Sequence, residues 1–573
     1  MRDGLPGGSS PSPPGATGST ESASLPAPRG RPTLKRTPTM FDFLILNGMV
    51  YDGSGSPGRK TDIGIKDGCI AAIGDLSDAL ATERIDVAGL AVAPGFIDLH
   101  THSDFTLVVD GQAQSQVHQG VTTEVIGQCG HSCAPMRDPK LRSPMGAGHA
   151  PDAIGDKRWQ TFGEYLDVLE RSPLGVNVAA FVGHGTVHSA VLGDALTAGD
   201  DEDIARMKRL VEESLDQGAA GFSTGLEYWP GILAAPEHLV PLCEAAAVRG
   251  KLYATHVRNR DRFYDLGFTE AIAASRESGA RLQISHIQTK FGAPDHAMEH
   301  TLEMIDAARR RGQDIAFDVI PHDWNNTSVM AILPKWAREG GVQSTLKRMK
   351  DPDVREKVKR NPAPMLLIVK ARRWDDVVLL NAVTNRHLVG MSFAEIGKMR
   401  GVDPYDALMD MLIEEDDAAG RMMWATRSFR DDDIEMAMRD ASCAVISDTA
   451  ALSPEGRLGE QLFSLSGYGW APRFLQYYVR DRNVLDLPEA IRRITSLPAS
   501  RIGIKDRGLL AKGMHADLVV FDAQEIASKV TIKKPRQHPV GIAHVMVNGA
   551  FAMRDGRRTP SNTGKVLRNI GTR

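Results

Sequence analysis

Five short apolar runs in this chain lead into residues that bind metals, and that pattern restricts the fold more than any other feature. The runs cover 92–99, 123–127, 251–254, 281–284 and 443–446, and they lead into His100-Thr101-His102, Cys129, His256, His286 and Asp448. Near-continuous Val/Ile/Leu/Ala stretches of this length are what parallel strands buried on both faces require. If the runs are neighbouring strands of a (β/α)₈ barrel, their C-terminal ends converge on one face, where barrel enzymes build their sites. Imidazoles, a thiolate and a carboxylate at one mouth suit zinc, which accepts N, S and O donors. The chemistry implied is hydrolysis by metal-activated water.

The wider pattern agrees with a barrel. Between 94 and 505 strands alternate with helices, as in a parallel α/β architecture. Candidate strands fall at 93–99, 122–127, 177–183, 219–223, 251–255, 281–285, 314–319 and 442–447. Helical stretches separate them; ARMKRLVEESLDQG, for example, ends on Gly218 as a helix stop. The interval between the last two strands is too long for one helix. Residues 321–440 include DPDVREKVKR and DPYDALMDMLIEEDDA, which predict an inserted helical subdomain at the catalytic mouth, in the position of a lid or specificity element.

Residues 40–93 differ in texture. Short β-rich runs are punctuated there by Asn-Gly, Asp-Gly and Gly-Ser-Gly, which read as hairpins. A matching β-rich region returns over 506–560, so the two ends are expected to pair into a small β-sandwich with the barrel between them. Residues 561–573 read as a tail. Residues 1–39 are crowded with Gly, Pro, Ser and Thr and lack an apolar h-region, so they predict a disordered tail rather than a secretory signal.

Composition bounds the partners. The 573 residues carry a formal net charge of −4 with no long basic stretch, which argues against nucleic acid or an anionic membrane. No uninterrupted apolar run of about 18 residues predicts a membrane span. The cysteines, Cys69, Cys129, Cys133, Cys243 and Cys443, are odd in number and scattered, which fits free thiols in a reducing cytoplasm.

Each candidate residue has an ordinary alternative. His100 and His102 lie on the same side of an extended segment and can reach one metal, where an isolated His-x-His is as often structural. Cys129, in Val-Ile-Gly-Gln-Cys-Gly-His, can be a small buried apolar residue; its flanking glycines suggest close backbone approach to a ligand instead. Cys133, four residues on, reads as structural. His256 and His286 share the form apolar strand, small hydroxyl residue, His, and lie 30 residues apart, as one βα unit requires. Asp448 is either a helix N-cap or the carboxylate that takes a proton from water and delivers it to the leaving amine. His184 and His188 follow the third strand and are candidates for contact with substrate or with a ligand. Lys290 and Arg258 are candidates for holding an anionic group, with a solvated position as the alternative.

Taken together, these residues resemble the amidohydrolase superfamily and, within it, the D-aminoacylase (N-acyl-D-amino-acid deacylase) family. Phe-Ile-Asp-Leu-His-Thr-His-Ser-Asp, Gln-Gly-Val-Thr-Thr-Glu-Val-Ile-Gly-Gln-Cys-Gly, Gly-Phe-Ser-Thr-Gly-Leu-Glu-Tyr and Trp-Asp-Asp-Val-Val at 374–378 match in order. Many amidohydrolases bridge two metals with a carboxylated lysine on the fourth strand. That strand has no lysine here, and Cys129 fits the cysteine that the D-aminoacylase family uses after the second strand. The resemblance implies a tight zinc on Cys129, His256 and His286, and a weaker second position on His100, His102 and Asp448 with Cys129 shared. It also implies Asp448 as the catalytic acid/base.

The departures lie where the substrate's amino-acid end is expected. Pro321-His322, followed by Asp323-Trp324, replaces the family's Pro-Tyr. Gln288 stands in place of a lysine, and Leu465-Ser466 replaces a His-Pro-Arg triplet, although Arg473 of a later Phe-Pro-Arg element remains. His184, Arg258, Gln288, Lys290, His322, Trp324 and Arg473 are therefore the candidate substrate contacts. The reading that follows is a zinc-dependent hydrolase of a linear amide, acting on an N-acyl-D-amino acid or a related small N-acyl compound. The alternatives are a metal-dependent hydrolase of a different amide (a cyclic amide, a ureide or a specialised N-acyl amine) and a non-catalytic barrel scaffold.

Overall fold

A computed structural model describes residues 40–137, 154–193, 195, 197–362, 367–459, 461–568 and 570–571. The expected tail at 1–39 lies outside the described residues. Phe96–Asp98 (β1), Val121–Ile126 (β2), Asn177–Gly183 (β3), Gly221–Gly225 (β4), Leu252–His256 (β5), Arg281–Ile284 (β6), Ile315–Val319 (β7) and Cys443–Val445 (β8) form one parallel sheet in chain order. Every residue of β2, β3, β4, β5 and β7 is buried, because helices cover one face and the barrel interior fills the other. Beyond β8 the chain returns to the end of β1. Thr101 and Thr449 form a parallel bridge, and Asp448 N donates to the His100 carbonyl at 3.1 Å. The sheet is thus a nearly closed (β/α)₈ barrel of the expected class.

The first apolar run is shared between two sheets rather than forming one strand over 93–99. Ala91–Pro94 pairs antiparallel with Leu518–Phe521, and only Phe96–Asp98 enters the barrel. Pro94 has no N–H to continue a ladder, and a Cβ on Gly95 would lie 2.2 Å from the Thr122 side chain. The chain therefore changes sheets at Pro94-Gly95.

The ends of the chain meet in a β-sandwich. A seven-stranded sheet combines Met49–Val50, Arg59–Lys60 and Ala91–Pro94 with Leu518–Phe521, Ile542–Val547, Ala550–Arg554 and Arg557–Arg558. A four-stranded sheet, built on Phe41–Leu46 and Asp62–Lys66, packs on it through Ile45, Ile63, Ile65, Val92, Leu518 and Val520. Asp67-Gly68 forms the expected two-residue hairpin: both residues have positive φ (51° and 76°), as a type I′ turn demands. Asn47-Gly48 does not, because the strands on either side of it enter different sheets. Beyond 560 the chain follows the barrel, with Val178 N donating to the Lys565 carbonyl and Leu567 N to the Val178 carbonyl.

Residues 321–440 carry the inserted subdomain with its own core around Leu346, Leu379, Phe393, Leu408 and Trp424. Two Asp-Pro signals start helices as expected. Asp351 caps Pro352–Arg360 and Asp403 caps Pro404–Glu415, each accepting from a backbone N–H with proline in the first turn. The subdomain also contains an antiparallel sheet of Trp324–Ser328, Met423–Arg427 and Val377–Asn381, in that order. The sequence reading missed this sheet.

Gly127, at the exit of β2, is a tight point in the barrel wall. Its φ is +78°, and a Cβ there would sit 2.0 Å from the Phe181 carbonyl oxygen. Gly127→Ala is expected to cost more than about 3 kcal/mol, from left-handed strain plus a backbone clash. Chemical unfolding measures this, and a loss under about 0.5 kcal/mol would show that the wall relaxes freely.

Candidate metal centre

Six donor side chains from the ends of β1, β2, β5, β6 and β8 meet at the C-terminal mouth of the barrel. Their backbones are bent to do so. Cys129, His286 and Asp448 all have positive φ, at 52°, 33° and 49°. Left-handed backbone at a non-glycine residue is held only where the surroundings compel it, and such residues concentrate at functional sites. Each of the three follows its strand by one to three residues and turns the side chain back over the barrel axis.

The spacing of donor atoms is tight. Cys129 Sγ lies 3.3 Å from His100 Nε2, 3.4 Å from His286 Nε2 and 3.7 Å from His256 Nδ1. His256 Nδ1 and His286 Nε2 are 3.0 Å apart. On the other side of the sulfur, Asp448 Oδ1 is 3.1 Å from His102 Nε2 and 3.4 Å from His100 Nε2. A tetrahedral zinc site has edges of about 3.3 Å between nitrogens and about 3.6 Å between nitrogen and sulfur. The donor set therefore fits such an ion in type and in spacing, with the sulfur common to both groups.

Buried groups behind the donors orient them. His256 Nε2 contacts Glu227 Oε2 at 2.7 Å, and Lys290 forms an ion pair with the same oxygen. Burial works against the Glu227 carboxylate, but Lys290 and His256 bring it down to about 2. An ionised Glu227 accepts from Nε2–H and leaves the Nδ1 lone pair facing the other donors. Asp318, on β7, accepts from His286 N at 2.6 Å and so secures the left-handed residue. Arg260 donates to the His286 carbonyl. Gly127 and Gly130, expected to admit a ligand, instead bring backbones together: a Cβ on Gly130 would lie 2.7 Å from Gly225 N.

Burial sets the protonation of the cluster. It lowers His100 to about 3 and His256 to about 4, and it carries His286 well below the usual imidazole range. Burial also raises the Cys129 thiol well above its ordinary value. Burial pushes Asp448 upward too, but the His102 hydrogen bond and the charges of His100 and His102 hold its carboxyl far below the usual range. His100, His256 and His286 are thus neutral donors and Asp448 is an anion, whereas the Asp448 hydrogen bond and charge outweigh burial at His102 and raise it. A cation among them would overturn the burial penalty on the thiol and draw out its thiolate.

A cavity of about 350 Å³ opens over these donors, a size suited to a small ligand. His102, Cys129 and Asp448 form its floor, with His131 and Tyr228 at one side. The inserted subdomain supplies the opposite wall through Asn326, Thr327, Ser328, Arg421 and Met423. None of the seven candidate substrate contacts lines it. Arg258 is consumed by Glu270 and the carbonyls of Ile232 and Ala234. Lys290 pairs with Glu227, and Gln288 is fully buried with its amide on the Ile320 carbonyl at 2.7 Å. His322 contacts Asp323 at 3.1 Å, Trp324 packs in the subdomain sheet under Arg427, and Arg473 donates to the Pro321 carbonyl. His184 is buried beside His188, whose Nε2 meets the Thr197 carbonyl. Apart from His184, whose buried Nδ1 has no hydrogen-bond partner among the described residues, these polar groups bond within the protein itself. Cys133 is buried, and none of the five cysteines forms a disulfide.

Comparison with known proteins places this geometry. The amidohydrolase family's sequence profile matches residues 83–256 and 432–552, which carry four of the five donor-bearing strand ends. The D-aminoacylase of Alcaligenes xylosoxydans xylosoxydans is 33% identical over 528 residues, covering 92% of this chain and 97% of that protein. The chain belongs to the amidohydrolase family. Among solved structures, N-acyl-D-glutamate deacylase from Bordetella bronchiseptica, complexed with zinc and a phosphonate mimic of the tetrahedral intermediate, superposes with a TM-score of 0.75. It is 29% identical and covers 92% of this chain and 100% of its own. A D-aminoacylase with a binuclear metal centre, described by one-metal activation and second-metal attenuation, gives 0.77 at the same identity and coverage. This amidohydrolase is thus of the D-aminoacylase branch and acts on carbon–nitrogen bonds other than peptide bonds. Metal-bound neighbours and the donor cluster together support a metal at its site. Among the described residues, no helix is long and apolar enough to cross a membrane.

The sequence reading missed Glu227, Asp318, Arg260 and Tyr228. Glu227 and Tyr228 had a usable signal, since both directly follow the buried run of β4. Glu227→Gln removes the charge that fixes the His256 tautomer, so affinity for zinc is expected to fall about 10- to 100-fold. Competition with a chromophoric chelator measures this; unchanged affinity would mean that Glu227 does not orient a ligand.

Proposed function

We propose that this amidohydrolase is a zinc-dependent deacylase of N-acyl-D-amino acids. The observation that carries the reading is the convergence of six zinc-type donors from five strand ends beneath a cavity sized for a small amide, in a chain similar to D-aminoacylase over nearly its whole length. Cys129, His256 and His286 would hold the tighter ion, and His100, His102 and Asp448, sharing Cys129, a weaker one. When bound there, zinc supplies Lewis acidity toward the amide carbonyl and brings the pKa of water toward about 7.

The chain's own residues account for the proton movements. Asp448, ionised and facing the cavity, accepts the proton of the attacking water, held in line by His102 at 3.1 Å. As the C–N bond breaks, Asp448 returns that proton to the leaving nitrogen, giving a carboxylate and a free amine. Tyr228 also faces the cavity, and burial raises its phenol well above the ordinary value, so it stays protonated. Its hydroxyl is placed to donate to the carbonyl oxygen as negative charge develops there. The unbridged thiols fit a reducing compartment, and we assign the activity to the cytoplasm.

Asp448→Asn is expected to keep the ion held by Cys129, His256 and His286 while lowering kcat by about 10²- to 10⁴-fold. Zinc analysis and steady-state assay of the same sample check this; full activity in a metal-replete variant would remove Asp448 from the mechanism. A panel of N-acetyl-D-amino acids, their L-enantiomers and cyclic imides tests the substrate class. Turnover of the D-series is expected, lost on chelation and restored by zinc, whereas turnover of cyclic imides alone would replace the linear amide with a ring.

A further inference from the structure

Among the described residues, Arg421 is the one arginine or lysine that lines the cavity. It ends the short turn Asp416–Arg421 just before the subdomain strand Met423–Arg427. Its backbone is tied down, since the Arg421 carbonyl accepts from Asn381 Nδ2 at 3.0 Å. Its side chain is not: the half-buried guanidinium has no hydrogen bond or ion pair with any described residue. Arg258 and Arg473, by contrast, are spent on Glu270 and on the Pro321 carbonyl. A guanidinium left without an acceptor in a partly apolar cavity is a ready partner for an anion, and its planar fork matches a carboxylate with two parallel bonds.

The rest of the wall narrows the choice of anion. Met423, Leu462 and Phe463, on the same lining, are apolar. One cation can compensate one carboxylate. A second carboxylate on the substrate would find no second arginine or lysine among the described lining residues to offset its lost water.

We propose that Arg421 binds the substrate's α-carboxylate, and that its isolation selects N-acyl amino acids with an uncharged, apolar side chain over N-acyl-glutamate or N-acyl-aspartate. The proposal rests on the amide-hydrolase reading above and adds to it the residue that chooses the substrate. Arg421 acts by fixing the carboxylate end so that the amide lies over Asp448 and the donor cluster, while the apolar wall receives the side chain or acyl group.

The test compares N-acetyl-D-leucine with N-acetyl-D-leucinamide, which lacks the carboxylate, on zinc-replete wild type, Arg421→Gln and Arg421→Lys. In Arg421→Gln the acid-to-amide ratio of kcat/KM is expected to fall about 10- to 100-fold, chiefly through KM, the loss of one charge-assisted contact. Arg421→Lys restores part of it. Calorimetric affinity for N-acetyl-D-leucine falls in parallel, and wild type prefers N-acetyl-D-leucine over N-acetyl-D-glutamate by at least about tenfold. An unchanged ratio in a Gln variant with wild-type zinc content and melting temperature overturns the proposal, as does equal use of leucine and glutamate substrates. If wild type binds N-acetyl-D-leucine through Arg421 yet cleaves none of the panel, the hydrolase reading falls and the anchor stands. If the Gln variant does not fold, wild type decides alone: acid and amide binding within about threefold overturns the anchor.

Discussion

The structure turns on a conflict that only a cation resolves. Burial makes the Cys129 thiol hard to ionise and keeps His100, His256 and His286 neutral, yet the sulfur lies 3.3–3.7 Å from a ring nitrogen of each, and His256 Nδ1 is 3.0 Å from His286 Nε2. Left to themselves, such groups would gain by separating or by hydrogen bonding elsewhere. The fold prevents this. Left-handed backbone at Cys129, His286 and Asp448 aims the side chains inward, Glu227 holds the second ring nitrogen of His256, and Asp318 and Arg260 hold the backbone of His286. The barrel holds left-handed backbone at three donors to build a site suited to a metal.

That requirement explains why the surrounding polar groups are inward-looking. Lys290 neutralises Glu227, Arg258 pins the loop beyond β4 through Ile232 and Ala234, and Gln288 ties the exit of β6 to that of β7. Each is a candidate substrate contact by its place after a strand. Each instead satisfies buried partners, as low-dielectric surroundings demand. The inserted subdomain lines the cavity instead, through Asn326, Thr327 and Ser328 of its edge strand and through Arg421 and Met423.

The barrel and its donors were legible because buried strands are continuous apolar runs, and a run that stops at His, Cys or Asp marks the catalytic face. All eight expected strands lie within about three residues of those observed, apart from the first, which Pro94-Gly95 divides between two sheets. The supporting shell was less legible. Asp318 sits inside a buried strand, and nothing in Ile-Ala-Phe-Asp-Val says that its carboxylate faces the His286 backbone. The cavity wall was invisible for a different reason: Trp-Asn-Asn-Thr-Ser at 324–328 has no hydrophobic alternation, so its strand exists only through pairing with Met423–Arg427.

The central claim is that one sulfur and imidazoles from separate strands share a single cation. Anomalous diffraction at the zinc edge from crystals of the metal-replete protein tests it most directly. The account expects a peak about 2.3 Å from Cys129 Sγ and about 2.0–2.1 Å from His256 Nδ1 and His286 Nε2. A zinc peak bound without the sulfur, or an ordered Cys129 turned away from both histidines, would contradict it.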